Sequence, residues 1–431
     1  MSRTVIHSGT VLDPATRTRR EGNVLIEDGV IFGIVEQTPA EWKKASQINA
    51  SGKWVIPGLI CLRSHVCEPG FEWKEDVSSA SRAGAAGGFT TICATPDSDP
   101  INDVRAVTEQ IVTRNSSARG ARVLPVGAAT LCQKGEHLSE MGDLRDAGCV
   151  AISTGEISLK SSRMMRRVLE YARSVSLPVF SVAQDWHLGN SAVMNEGSAS
   201  LRLGMPSVPA EGESIALFRD GMLARLAGWP LHVQRISTAA AVNVLRHLRS
   251  EGVAITADVT PHHLWFDENH VASFDTKTRV QPPLRSQQDV EALQAAVSEG
   301  LISAIATDHS PQSTIEKKVE YRWSEPGTTG LETTLSVILE LHRKGSFDLL
   351  DGLARLTCGP ASILGRTDLG RLSEGAVADV VVVDPDTPKR VEATTMNSLS
   401  QNCIFDGVSL SGHVEATLVA GEIVHGTQES S

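Results

Sequence analysis

Several things are scarce in this sequence, and each scarcity removes a class of function. None of its seven cysteines (Cys61, Cys67, Cys93, Cys132, Cys149, Cys358, Cys403) belongs to a Cys-x-x-Cys pair. Neither a disulfide framework nor a zinc knuckle is indicated, and a reducing cytoplasm fits. Basic residues are outnumbered, 40 against 51 acidic ones, for a formal net charge of -11. That balance argues against nucleic acid or an anionic membrane as partner. No apolar run is long enough to span a bilayer, and Met1-Ser2-Arg3-Thr4 lacks the apolar core of a signal peptide. Low-complexity segments and short-period repeats are absent, and no glycine-rich phosphate turn opens a helix. What remains is an ordinary globular composition, 41% hydrophobic and 21% charged over 431 residues. That length suffices for one large domain and a smaller one.

Both chain ends read as strands. Thr4–His7, Asn23–Ile26 and Val30–Val35 are β-rich and separated by turn signals such as Asp28-Gly29, and residues 378–384 and 416–424 are similar. Between them strands alternate with helices. Strand signals near residues 59–65, 89–93, 123–126, 150–153, 178–181, 231–233, 255–259 and 304–308 number eight, with helical patterns between most of them. That alternation predicts a closed parallel (β/α)8 barrel.

One stretch organises the chain, Pro57 to Gly70: Pro-Gly-Leu-Ile-Cys-Leu-Arg-Ser-His-Val-Cys-Glu-Pro-Gly. Cys61, Arg63, His65 and Cys67 alternate, so an extended strand turns all four to one face. The frame resembles the Pro-Gly-Leu-Ile-Asp-x-His-x-His-x-Arg-Glu-Pro-Gly run of cyclic amidohydrolases of the dihydroorotase type. Ala85–Thr91, Val193–Gly197, Thr260–Leu264, Pro282–Arg285, Ala306–His309, Gly330–Thr333 and Gly375–Asp379 match the family as well. The resemblance implies a barrel at 57–366 and a small β-sandwich joined from residues 1–56 and 367–431.

In that family a metal held by histidines and carboxylates activates water and polarises a ring amide, and an aspartate at the last barrel strand shuttles the proton. At the positions that match, this sequence keeps His65 and Asp308 and loses the rest. Arg63 and Arg235 stand for histidines, Thr154 for an aspartate and Val182 for a histidine. Substrate-holding positions change too: Cys67 for arginine, Asp97 and Gln281 for asparagines, Gln312 for a histidine. A carboxylate at Asp97 repels an acidic substrate. Arginine donates only and cannot bind a metal, and a dication beside a guanidinium costs several kcal/mol. Arg63 and Arg235 are therefore expected to fill the metal's space and pair with Asp308.

The sequence is also similar to the inactive dihydroorotase-like chains that assemble with bacterial aspartate transcarbamoylase. That similarity implies a non-catalytic cytoplasmic subunit of pyrimidine biosynthesis, without cofactor, partnered in a hetero-oligomer by the transcarbamoylase catalytic chain. His65 and Asp308 are then vestigial. Two alternatives stand beside it. One is an active metal-dependent dihydroorotase or other cyclic amidohydrolase with a rebuilt site, with zinc on Cys61, His65, Cys67 and Asp308 or with His262 recruited. The other is a sensor that uses the old pocket to bind a pyrimidine intermediate.

Overall fold

The computed structural model describes residues 2–156, 158–189 and 192–426. Strands β1 (Arg3–Asp13), β2 (Thr18–Glu27), β3 (Val30–Val35), β4 (Ser46–Asn49) and β5 (Trp54–Pro57) open the chain. The barrel strands are β6 (Leu59–Ser64), β7 (Phe89–Ala94), β8 (Arg122–Ala128), β9 (Ala151–Ser153) and β10 (Val179–Val182). After the short pair β11 (Met194–Asn195) and β12 (Ser207–Val208) come β13 (Leu231–Gln234), β14 (Ile255–Val259) and β15 (Ala304–Ile305). Strands β16 (Val380–Arg390), β17 (Ser409–Val419) and β18 (Glu422–His425) close the series.

Two sheets of eight strands result. One runs β18-β17-β16-β5-β1-β2-β3 with β4 on β1, so it draws on both chain ends, as the strand-rich termini lead one to expect. Its core mixes the two, with Ile6, Val24 and Ile26 against Val380, Val382 and Leu418. The other runs β15-β14-β13-β10-β9-β8-β7-β6 in parallel. A Ser64–His309 bridge and the His65 N–H donating to the His309 carbonyl (2.8 Å) bring its two edges together, and the barrel is nearly closed. The passage from sheet to barrel takes a single residue, Gly58. A Cβ there would overlap the side chain of Thr90 and crowd that of Asp379, so only glycine lets β5 run directly into β6.

Helices cover the barrel. The longest, Glu211–Ala227, lays small residues inward: Gly212, Ala216, Gly221, Ala224 and Ala227 are buried. Gly221 lies so close to Leu248 that a Cβ would overlap it, which lets the helix settle tightly on its neighbour Ala239–Ser250. Among these small residues Asp220 is buried beside Arg219, which donates to it from Nε at 2.8 Å. Burial pushes the Asp220 carboxyl up to about 6, with Arg219 only partly offsetting it. A carboxyl raised in the folded state removes stability as pH rises from its ordinary 3.8 to about 6. Asp220→Asn is therefore expected to be more stable than the parent at pH 7, by up to about 3 kcal/mol, and to melt higher. The gain should shrink to nothing below pH 3.8, which paired thermal melts across that window would check.

Candidate functional site

The C-terminal ends of the barrel strands open onto a cavity of about 200 Å³. His65, Cys67, Asp97, Arg235, Gln281, Asp308 and Gln312 line it, together with Lys74, Glu156 and Glu325. Of the substituted positions, Cys67, Asp97, Arg235, Gln281 and Gln312 thus gather at one mouth, because the ends of parallel strands converge there whatever residues they carry. Three of these residues hold left-handed backbone: Cys67 (φ 58°), Arg235 (φ 58°) and Asp308 (φ 48°). For residues with a Cβ that conformation is strained, and such strain collects at functional sites.

Arg63 lies beneath the cavity floor and is fully buried. Its Nε donates to Asp308 Oδ1 (2.9 Å), Nη1 to Gln234 Oε1 (3.0 Å) and Nη2 to Glu156 Oε1. Arg235 donates from Nη1 to the Gln281 carbonyl (2.9 Å) and to Asp308 Oδ1 (3.4 Å), and from Nη2 to Glu156 Oε2 (3.0 Å). Both guanidiniums reach Asp308, as the two ligand-to-arginine replacements suggest. Glu156 was not anticipated, yet it meets both cations. Burial alone would push its carboxyl up, but Arg63, Arg235 and His65 outweigh burial and hold it well below the usual carboxylate range. Asp258 completes the support: it accepts the Arg235 backbone N–H (2.6 Å) and pairs with His232 Nε2 (2.9 Å), a satisfied barrel histidine.

The other substituted positions differ in role. Thr154 and Val182 are buried near the ends of β9 and β10 and do not line the cavity. Gln281 donates to Gln184 Oε1 (2.7 Å), and Gln312 links Lys74 (2.9 Å) to the Pro326 carbonyl (3.0 Å). Cys61 turns to Thr307 Oγ1 (3.1 Å) and stays out of the cavity, while burial pushes the Cys67 thiol up to about 12. His262 is buried with Nε2 unpartnered, and burial together with Arg235 pushes it down to about 3, so its imidazole stays neutral.

Does this site fit a metal? Among the Arg63 and Arg235 head groups it does not, since a guanidinium carries no lone pair to offer a cation and adds its own positive charge. One step toward the mouth it does. His65, Asp97 and Glu156 place one ligand atom each within 4.8 Å of one another. His65 Nε2 is 3.2 Å from Glu156 Oε1, and His65 Nδ1 is 3.9 Å from Asp97 Oδ2. These are opposite ring nitrogens, so one ion takes only one of them; with one ligand atom from each residue, the three lie within 4.8 Å of one another. Asp97 Oδ1 accepts from Gln133 (2.8 Å), but Oδ2 is buried with no hydrogen-bond partner. Burial and the Glu156 charge push this carboxyl up, against the pull of His65 and Arg63. An orphaned carboxylate oxygen beside an imidazole and a second carboxylate is a donor set that a divalent ion accepts, although the second carboxylate, Glu156, is shared with Arg63 and Arg235, whose charge weakens the hold on an ion. Among the described residues one other group has this form, Asp384, His413 and Glu415 on the sheet, where Lys53 already supplies charge to Glu415 at 3.1 Å.

Residues 52–241 match the dihydro-orotase-like family, and residues 222–425 match the amidohydrolase family. The dihydroorotase of Anaeromyxobacter dehalogenans strain 2CP-1 is 41% identical over 422 residues, 97% of each chain. That of Citrifermentans bemidjiense is 39% identical over 421 residues, 98% of this chain and 99% of its own. Among solved structures, the L-hydantoinase (dihydropyrimidinase) from Arthrobacter aurescens superposes with a TM-score of 0.89 at 21% identity, covering 100% of this chain and 98% of the other. The dihydropyrimidinase from Brevibacillus agri NCHU1002 gives 0.86 at 20%, covering 99% and 95%. At such identity these two establish the fold alone.

Two expectations from the sequence are overturned. The chain is not set apart as a non-enzyme, because relatives about 40% identical over nearly its whole length are dihydroorotases. Nor does the absence of a cofactor hold, because His65, Asp97 and Glu156 assemble a metal-capable group. Both corrections have one physical cause: Glu156, which completes the group with His65 and Asp97, stands two residues past the family's ligand position. A signal for Glu156 was available. It follows Gly155 (φ 93°), two residues past Thr154. If Glu156 is what balances the buried guanidiniums, Glu156→Gln should lower stability by about 2 kcal/mol, discounted for its part-exposed side chain. Restoring it with Arg63→Met in the same chain should recover most of that loss. Urea unfolding of the two variants decides it, and equal losses in both would refute the pairing.

Proposed function

The chain belongs to the dihydroorotase-like amidohydrolases, and from that premise we propose that it is a metal-dependent cyclic amidohydrolase with a rebuilt site. The observation that carries this reading is the buried, unpartnered Asp97 Oδ2 facing His65 and Glu156. In this reading His65, Asp97 and Glu156 hold the metal, nearer the mouth than the positions that Arg63 and Arg235 occupy. When bound there, a divalent ion supplies Lewis acidity, lowering the pKa of water and polarising a ring carbonyl. The relatives' name points to dihydroorotate as the ring to be tested first.

The chain's own groups divide the work. Arg63 and Arg235 hold Glu156 and Asp308 in place and balance their charge at the cavity floor. Asp308, at the end of the last barrel strand and walling the cavity, is placed to take a proton at its carboxylate from an attacking water and to return it to the ring nitrogen. Gln133 fixes Asp97 through Oδ1 and leaves Oδ2 aimed at the ligand group. Committed to a metal, Asp97 no longer repels an acidic substrate, which removes the objection raised by its replacement of an asparagine.

Purified chain stripped with a chelator and reloaded with zinc or manganese should take up metal by elemental analysis and open dihydroorotate. Asp97→Ala should weaken metal retention by more than the roughly 10–100-fold that losing a supporting hydrogen bond costs. No bound metal and no turnover after reloading would defeat the proposal.

A further inference from the structure

Given the hydrolytic reading proposed above, on which this inference rests, we infer that Asn402 is a positioning residue for the substrate. From outside the catalytic cavity it holds the wall that the ring must fit. That wall is made of Ser310, Pro311 and Gln312 on one limb of the chain and Glu325, Pro326 and Gly327 on the other. Both limbs lie past β15, outside the barrel strands. Packing does not fix the first limb either. Gln312 lines the catalytic cavity on one side and a second cavity, of about 270 Å³, on the other, and Asn402 lines only the second. A side chain with open space on both sides lacks the contacts that set a position, so hydrogen bonds must set it.

Asn402 supplies them. Its side chain is buried and every polar atom is engaged. Oδ1 accepts the Gln312 backbone N–H (3.0 Å), and Nδ2 donates to the Ser310 carbonyl (3.0 Å) and the Gly327 carbonyl (3.0 Å). One amide thus ties the two limbs together, and it takes an acceptor and two donors on a single short side chain to do so. Asn402 is itself held independently of that amide. Its segment runs between β16 and β17 and is pinned on both sides. Before it, the Asn397 amide donates to Glu332 (2.8 Å), the Ser398 hydroxyl to the buried Glu75, and the Ser400 hydroxyl to the Lys74 carbonyl (2.7 Å). After it, the Ile404 amide donates to Thr328 Oγ1 (2.9 Å). The segment therefore stays in place when the Asn402 side chain is removed, and through it the chain-end sheet reaches the mouth of the barrel. Among the described residues Asn402 bonds to none of His65, Asp97, Glu156 and Asp308, so its effect falls on substrate fit and not on the metal or the proton.

Steady-state kinetics on dihydroorotate with the zinc-loaded chain and its Asn402→Ala and Asn402→Asp variants test this. Alanine removes all three bonds. Aspartate has the shape of asparagine and keeps the acceptor for Gln312, but sets a carboxylate oxygen against two carbonyls. Both variants should raise KM by roughly 10- to 100-fold, as displacement of a positioning group does, with kcat, metal content and circular dichroism unchanged. If Asn402 only fills space, the aspartate variant behaves as wild type, which overturns the inference. A fall in kcat or metal content at unchanged KM overturns it too. A wild-type chain that binds no metal and opens no ring overturns the hydrolytic reading and this inference with it, whereas an active wild type whose variants keep its KM overturns this inference alone.

Discussion

A guanidinium with no access to water sets the terms for everything around it. Arg63 is fully buried, and an ion so placed survives only with its charge matched and its N–H groups satisfied. Asp308, Gln234 and Glu156 meet that demand from three different segments of the chain. Their positions are consequences of one another. Asp308 is drawn across the barrel's closing seam, Gln234 is held at the end of β13, and the segment after β9 is bent inward. Any cation is displaced toward the mouth, where His65 and Asp97 stand.

Holding that arrangement strains the backbone. Cys67, Arg235 and Asp308 sit in the left-handed region, each at a cost of roughly 1–2 kcal/mol for a residue with a side chain. The barrel sustains two of them by tying Arg235 and the residue beyond Asp308 to neighbouring segments. The Arg235 amide is fixed by Asp258 on β14, and the residue beyond Asp308 accepts a backbone hydrogen bond from His65. Residues just past the ends of rigid strands are thus kept in conformations that freer loops would relax away from.

Much of this was legible in the sequence. The alternation of strand and helix declares the barrel, and strand-rich ends declare the shared sheet, because burial periodicity is a local property. Positions at strand C-termini were also foreseeable: His65, Asp97, Arg235 and Asp308 meet because a barrel brings them together. Glu156 escaped because it stands beyond a glycine, where no periodicity governs direction. Charge would have exposed it, since two buried arginines cannot be balanced by Asp308 alone.

Gly155 has a consequence beyond placing one side chain. By delivering its carboxylate on a turn, the chain carries its own counter-ion on a tether a few atoms long. A tethered group competes at an effective concentration of millimolar or higher. Free anions in solution are therefore shut out of the arginine pair, and the floor of the cavity behaves as a site already occupied by a permanent guest.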